Sequence, residues 1–293
     1  MTRMDKHDSW IEPTRTVRTI EHLLLFGAAV LLSGCGWMVQ AAQTMHLRGY
    51  DKNISDATQA IANARDGAAR AHAFSTRGSA YAEKARYSRA FKLVTADEYD
   101  RLFQLAVKDH DQAIALNPGS AEAYYNRGQA YWDRGSQDEF EHKDAKSWFD
   151  HAAADFQVST ERDPRNYMAF DMLGMSHQEN GAWEQAIGDY TREQSLNSKL
   201  GTARLADAYC GRGQQDAKNK NLEAATADYE KSVELGSNTD GCSCEPYNSL
   251  LVIYTQTGQY DKAWKFVHWA QTSKHWLDAE LVEYLKKNSG RNS

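Results

Sequence analysis

Between Tyr167 and Leu200 the apolar positions fall at helical spacing on two short segments. Phe170 and Leu173 mark the first, and Ala186, Ile187 and Tyr190 the second. Gly174 and Ala186 are small where two such helices would approach. Gly181 stands between them, where a residue without Cβ turns the chain at least cost. The pattern predicts an antiparallel helix pair 34 residues long. One such pair cannot bury its own apolar face, so it needs neighbours on both sides.

The spacing recurs along the chain. In a unit at 71–120, Phe74, Gly78 and Tyr81 open the frame, and Ala106, Ala113 and Pro118 close it. Its two halves are 16 residues further apart than in 167–200, and the excess holds no Gly or Pro. Thr95-Ala96-Asp97-Glu98 reads as a capping box that starts a helix near Ala96, so both helices of this unit are expected to be long. A unit at 121–166 has Tyr124, Gly128 and Tyr131, then Ala152, Phe156 and Pro164, with an excess of 12. Here Gly135 is expected to end the first helix. Ser136-Gln137-Asp138-Glu139 is expected to cap a second, running from Gln137 to about Arg162. Both excesses predict elongated hairpins on one edge.

After a five-residue spacer come units at 206–239 (Tyr209, Gly213, Ala225, Tyr229) and 244–277 (Tyr247, Tyr254, Gly258, Ala263). A cap helix at 277–287 and a tail at 288–293 follow. Residues 35–70 read as a linker with a degenerate helix or half-repeat around Ala57, Ile61 and Ala64.

This frame resembles the tetratricopeptide repeat, whose pattern is Trp-x2-Leu-Gly-x2-Tyr, then Ala-x3-Phe, then Pro. The 167–200 unit departs from it with Phe170 for Trp, His177 for Tyr and Ser198 for Pro. The resemblance implies an all-α superhelical solenoid of helix pairs whose work is binding.

Composition narrows the reading. Four prolines and 11% aromatic residues in 293 suit a packed helical chain. The net charge of −6, with no basic run, argues against nucleic acid as a partner.

Residues 23–32 form a ten-residue apolar core behind Arg15 and Arg18. That is too short to span a bilayer and suits a signal peptide, 1–34. The core runs into Leu32-Ser33-Gly34-Cys35, which resembles the bacterial lipobox. The resemblance implies that Cys35 becomes the acylated first residue of a lipoprotein. With no Asp after it, it implies a place in the outer membrane facing the periplasm. The alternative is an uncleaved signal anchor.

In the resembling family, positions 2, 5, 9 and 12 of each first helix face the groove. Here these include His72, Ser75 and Ser79, then Glu122, Tyr125, Gln129 and Trp132. Further along they include Met168, Asp171, Met175 and Gln178, and finally Asn248. Tyr125, Trp132, Met168 and Met175 form an expected aromatic and thioether patch flanked by acids. Equally, Trp132 packs against the long hairpins and the methionines fill interior gaps. The chaperone-tail clamp of some members uses groove lysines, which are absent here although Asn126 is present. A partner with basic or apolar groups fits better.

Cys210, Cys242 and Cys244 remain after Cys35. An oxidising compartment favours a disulfide of Cys210 with Cys242 or Cys244 over a zinc site, whose four-ligand spacing is missing. No phosphate loop, His-Glu-x-x-His or Gly-x-Ser-x-Gly occurs. His177 reads as an interior histidine, and His142 and His151 as part of a solvated face. The expectation is therefore a non-enzymatic, membrane-anchored periplasmic adaptor for protein or peptide partners in the cell envelope. It would need no cofactor and no metal, and could self-associate. The alternative is a ligand-binding receptor or enzyme accessory using the central patch as a pocket.

Overall fold

The computed structural model describes residues 36–236 and 245–291, and all regular structure among them is α-helical. The chain divides into two compact units, 1–180 and 181–293. The division falls within the 167–200 stretch, at Gly181.

The first unit holds α1 (Gly36–Asn63), α2 (Gly67–Ala90), α3 (Ala96–Leu116), α4 (Ala121–Phe140), α5 (Lys146–Arg162) and α6 (Tyr167–Glu179). Each packs on the next in antiparallel fashion, and α2 also packs on α4. The starts are chemically marked. Asp66, Thr95, Ser120 and Asn166 each accept a backbone N–H of the first turn of α2, α3, α4 and α6, which satisfies donors that have no partner within the helix.

The expected long hairpins are present, with one correction. Gly135 does not end α4, which continues to Phe140, and α5 starts at Lys146 rather than Gln137. The reason is packing. A Cβ at Gly135 would lie 2.8 Å from the Phe149 ring, so this glycine lets α5 come close to α4. Gly128 serves the same purpose one level away, where a Cβ would lie 2.9 Å from Phe156.

The long hairpins are stitched to each other. Arg134 stands 5.3, 5.8 and 5.6 Å from the rings of Tyr99, Phe103 and Trp148, and also reaches Asp100 and Asp138. Trp148 donates its indole N–H to Asp138 at 2.9 Å. At the turns, Arg89 of α2 pairs with Glu141. Burial alone would lift the Glu141 carboxyl. Hydrogen bonds from Arg89, Lys143 and Gln137 outweigh that and hold it at about 2.

The second unit holds α7 (Trp183–Leu196), α8 (Ser198–Lys218), α9 (Leu222–Glu234), α10 (Pro246–Gln256), α11 (Tyr260–Thr272) and α12 (Ala279–Ser289). The expected spacer before 206 is helical, because α8 begins at Ser198. Its core gathers Tyr229, Leu250, Leu251, Trp264, Val267 and Leu285. Leu285 is fully buried, so the cap helix closes the core with one apolar side. Among the described residues no helix is long and apolar enough to cross a membrane.

Candidate partner-binding groove

Two devices repeat through the helix pairs and set the groove. The first is a ring slot four residues after the small residue of the second helix. Phe156 follows Ala152 and Tyr229 follows Ala225, and their rings lie against Gly128 and Gly213. In the earliest pair the slot follows Ala106 and holds His110, whose ring would sit 2.8 Å from a Cβ at Gly78. His110 is fully buried and neither ring nitrogen has a hydrogen-bond partner. Burial, helped by the Arg127 charge, pushes its pKa down to about 4.

The second device is an arginine just before each of those glycines. Arg77 binds Asp109 through two nitrogens at 2.6 and 2.8 Å. Arg127 binds Asp155 at 2.7 Å twice, and Arg212 binds Asp228 at 2.8 Å twice. The third guanidinium nitrogen reaches the preceding helix, on Thr58, Asp111 and Glu184 respectively. Each fork therefore locks a helix pair internally and ties it to its predecessor. The sequence carries this signal openly, as Arg-Gly in the first helix and Ala-x-x-Asp in the second, but matching the apolar frame alone passes over it.

With the helices so fixed, α1, α2 and α4 border an open pocket of about 450 Å³. Its walls are Asn53 and Asp56 of α1, Thr76, Ser79 and Glu83 of α2, and Glu122 and Asn126 of α4, over a floor of Ala57 and Ala80. Three carboxylates and two amides line it, and no lysine or arginine. Lys52 reaches Asp56 from one turn away, at 2.5 Å. Asn126 is held by donating to Ser75 at 3.1 Å. One to two turns further along α4, Asp133 lies 3.7 Å from Arg86. Burial lifts its carboxyl to about 6 against the pull of Arg86, and Glu83 adds to the lift.

The residues singled out from sequence fare unequally. Glu122 and Ser79 line the pocket. Ser75 is buried behind it and His72 is exposed. Tyr125 and Gln129 are half-buried, and the Tyr125 ring lies 5.6 Å from that of Phe156. Burial and then the charges of Asp171 and Asp133 raise its phenol pKa. Trp132 is not a groove residue. It is buried in a cluster with Phe149, Phe156 and Leu173, because the long hairpin gives its indole an apolar bed. Met175 packs half-buried against that cluster, Met168 is exposed, and Asp171 and Gln178 are half-buried. The expected aromatic and thioether patch is thus partly core.

In the second unit Asn248 is also not a free groove amide. Its Oδ1 accepts the Asp278 N–H at 3.0 Å and its Nδ2 donates to Glu245 at 2.9 Å, which fixes the start of α12. Cys210 is buried. Its candidate partners Cys242 and Cys244, like Cys35, lie outside the described residues. Among the described residues, no group of three or more His, Cys, Asp or Glu side chains is arranged to hold a metal ion.

Residues 103–135, the second helix of one pair and the first of the next, match the TPR repeat family model. Over that stretch the chain carries a tetratricopeptide (TPR) repeat.

Several solved structures share likeness with this all-helical chain. The crystal structure of MamA is 18% identical and aligns over 68% of this chain and 99% of its own, with a TM-score of 0.40. YrrB, described as a TPR protein with an unusual peptide-binding site, is 15% identical over 73% of this chain and 87% of its own, with a TM-score of 0.39. The Pseudomonas aeruginosa protein pilF is 15% identical over 73% and 87%, with a TM-score of 0.38. At these values the likenesses carry nothing about function. No curated protein matches the sequence.

Proposed function

We propose that this protein is an adaptor that holds a basic segment of a protein partner in the pocket between α1, α2 and α4. One observation carries the reading: the pocket is walled by Asp56, Glu83, Glu122, Asn53 and Asn126, with no cation among its lining residues. Lysine and arginine side chains on an extended peptide would meet carboxylates and amide oxygens there, and an acidic tail would be repelled. Concave surfaces of stacked helix pairs serve binding, which is the general work of such repeats.

The lipobox resemblance around Cys35 extends the proposal. The adaptor is anchored by acyl chains, in the outer membrane facing the periplasm, and acts in envelope assembly or scaffolding. The disulfide of Cys210 with Cys242 or Cys244 belongs to the same proposal, as an oxidising compartment would allow it.

Fluorescence anisotropy with labelled nonapeptides tests the groove. Lysine- and arginine-rich peptides are expected to bind the purified full-length protein, and the double variant Glu83→Lys, Glu122→Lys should weaken them at least tenfold. Equal binding of acidic and basic peptides, or binding unmoved by the double variant, overturns the groove reading. Unchanged processing of a Cys35→Ser variant overturns the anchor, and alkylation of Cys210, Cys242 and Cys244 together overturns the disulfide.

A further inference from the structure

Within the first unit the helix ends sort to two levels. Arg77 bonds to Thr58, Lys84 to Asp51, and the Tyr87 ring lies 5.2 Å from that of His46. As α2 rises towards its end, its contacts descend α1 towards Gly36. Continuing that register sets the turn 91–95 level with about residue 42. From there α1 projects about 9 Å further, at 1.5 Å per residue, to its first residue. The turn 141–145 lies at the same end, because Arg89 beside the first turn pairs with Glu141 in the second. The tips of both long hairpins and the start of α1 therefore share one end of the unit. The loops 64–66, 117–120 and 163–166 share the other.

Gly36 directly follows Cys35 in sequence. We propose that the hairpin-tip end faces the bilayer surface, with the two turns at headgroup level. The inference rests on the acyl anchor read above.

The tips carry suitable groups. Leu93 and Phe140 are each 38% exposed, and Met45, at the same level on α1, is 71% exposed. Lys92 adjoins Leu93, and such a side chain reaches headgroup phosphates while its stem stays on apolar surface; in the second tip Lys143 pairs with Glu141. Exposure alone does not choose the end, since Leu116 at the other end is 40% exposed. The position of α1 chooses it. The headgroup zone is about 6 Å deep on each side, so a modest tilt of α1 brings both tips into it.

The same geometry gives α1 a second role, as a spacer. Asp56 lies twenty residues along α1 from Gly36, which holds the acidic pocket about 30 Å from the anchored end. The pocket thus stands clear of anionic headgroups that would compete with it for a basic partner.

Photocrosslinking tests the orientation. A benzophenone amino acid replaces Leu93, Phe140 or, as control, Leu116 in the full-length chain processed in an envelope-competent host. Each protein is reconstituted into vesicles of phosphatidylethanolamine and phosphatidylglycerol that carry an alkyne-tagged lipid, and flotation is measured before irradiation. Lipid adducts are expected from positions 93 and 140, at least fivefold above position 116. Protein that floats but gives equal adducts at all three positions, or none at 93 and 140, overturns the orientation and leaves the anchor standing. Protein that does not float overturns the anchor, and the orientation with it.

Discussion

Arg127 and Asp155 face each other through two parallel hydrogen bonds of 2.7 Å, while the third nitrogen of the same guanidinium reaches Asp111 at 2.6 Å. The carboxylate is nearly buried, at 6% side-chain exposure, and the arginine is 21% exposed. Removing one partner leaves a charge without water or counter-charge. Arg127→Met is expected to destabilise the first unit by about 3–5 kcal/mol, and the double variant Arg127→Met, Asp155→Leu to recover most of that. Arg101→Ala, which breaks an exposed pair with Glu98, should cost under about 1 kcal/mol. Denaturant unfolding of the three variants checks this. A double variant as unstable as the single one would count against the account.

His110 makes stability depend on pH. Its folded pKa of about 4 lies below the ordinary value of 6.5. Between those values the unfolded chain binds a proton that the folded chain refuses, so stability falls as pH drops from about 6.5 to about 4. Asp133 works the other way over a similar window, since its folded pKa is raised to about 6. The net slope of the wild type is therefore shallow, and the His110 contribution appears by difference. His110→Phe, which puts in the slot the ring that Phe156 places in the next pair, should gain on the wild type by about 3 kcal/mol between pH 7 and pH 4. Urea midpoints across that range measure it, and a difference independent of pH would refute it.

Gly135 separates two meanings of glycine in a helix. If it ended a helix, alanine there would be tolerated or would extend the helix. In the close approach to Phe149, a Cβ at 2.8 Å forces the ring or the helix to move. Gly135→Ala is expected to destabilise by about 1–3 kcal/mol, against the roughly 1 kcal/mol that alanine gains in helix propensity. Thermal unfolding of Gly135→Ala beside Gly67→Ala, a helical site with open space, gives the comparison.

Asn248 anchors the cap helix. Asn248→Ala removes the acceptor of the Asp278 N–H and is expected to cost about 1 kcal/mol. The loss should appear as faster hydrogen exchange in α12, with α2 to α5 unchanged. Protection of α12 equal to wild type would show that Leu285 alone holds it.

The frame of small residues and rings made the helix-pair class legible, because helix contacts require small groups at fixed intervals and those intervals are written in the chain. Thr95 announced its helix for a similar reason, since a side chain three residues from its backbone donor is a local event. Gly135 did not read correctly. A glycine that ends a helix and one that admits a neighbouring ring have the same sequence, and only the position of Phe149 distinguishes them. Trp132 shows the same limit, because its place on the first helix is periodic while its burial depends on how far the hairpin beside it extends.

The sequence by itself determined the repeat, the long hairpins, most helix starts and the acidic balance, all consequences of short-range spacing and composition. Only the tertiary structure decided which acids share a pocket, that Arg77, Arg127 and Arg212 fork onto paired aspartates, and that His110 is a core ring. The forks join groups 16 to 32 residues apart and the pocket gathers acids still further apart in sequence, all meeting across helices, where burial sets the worth of every charge.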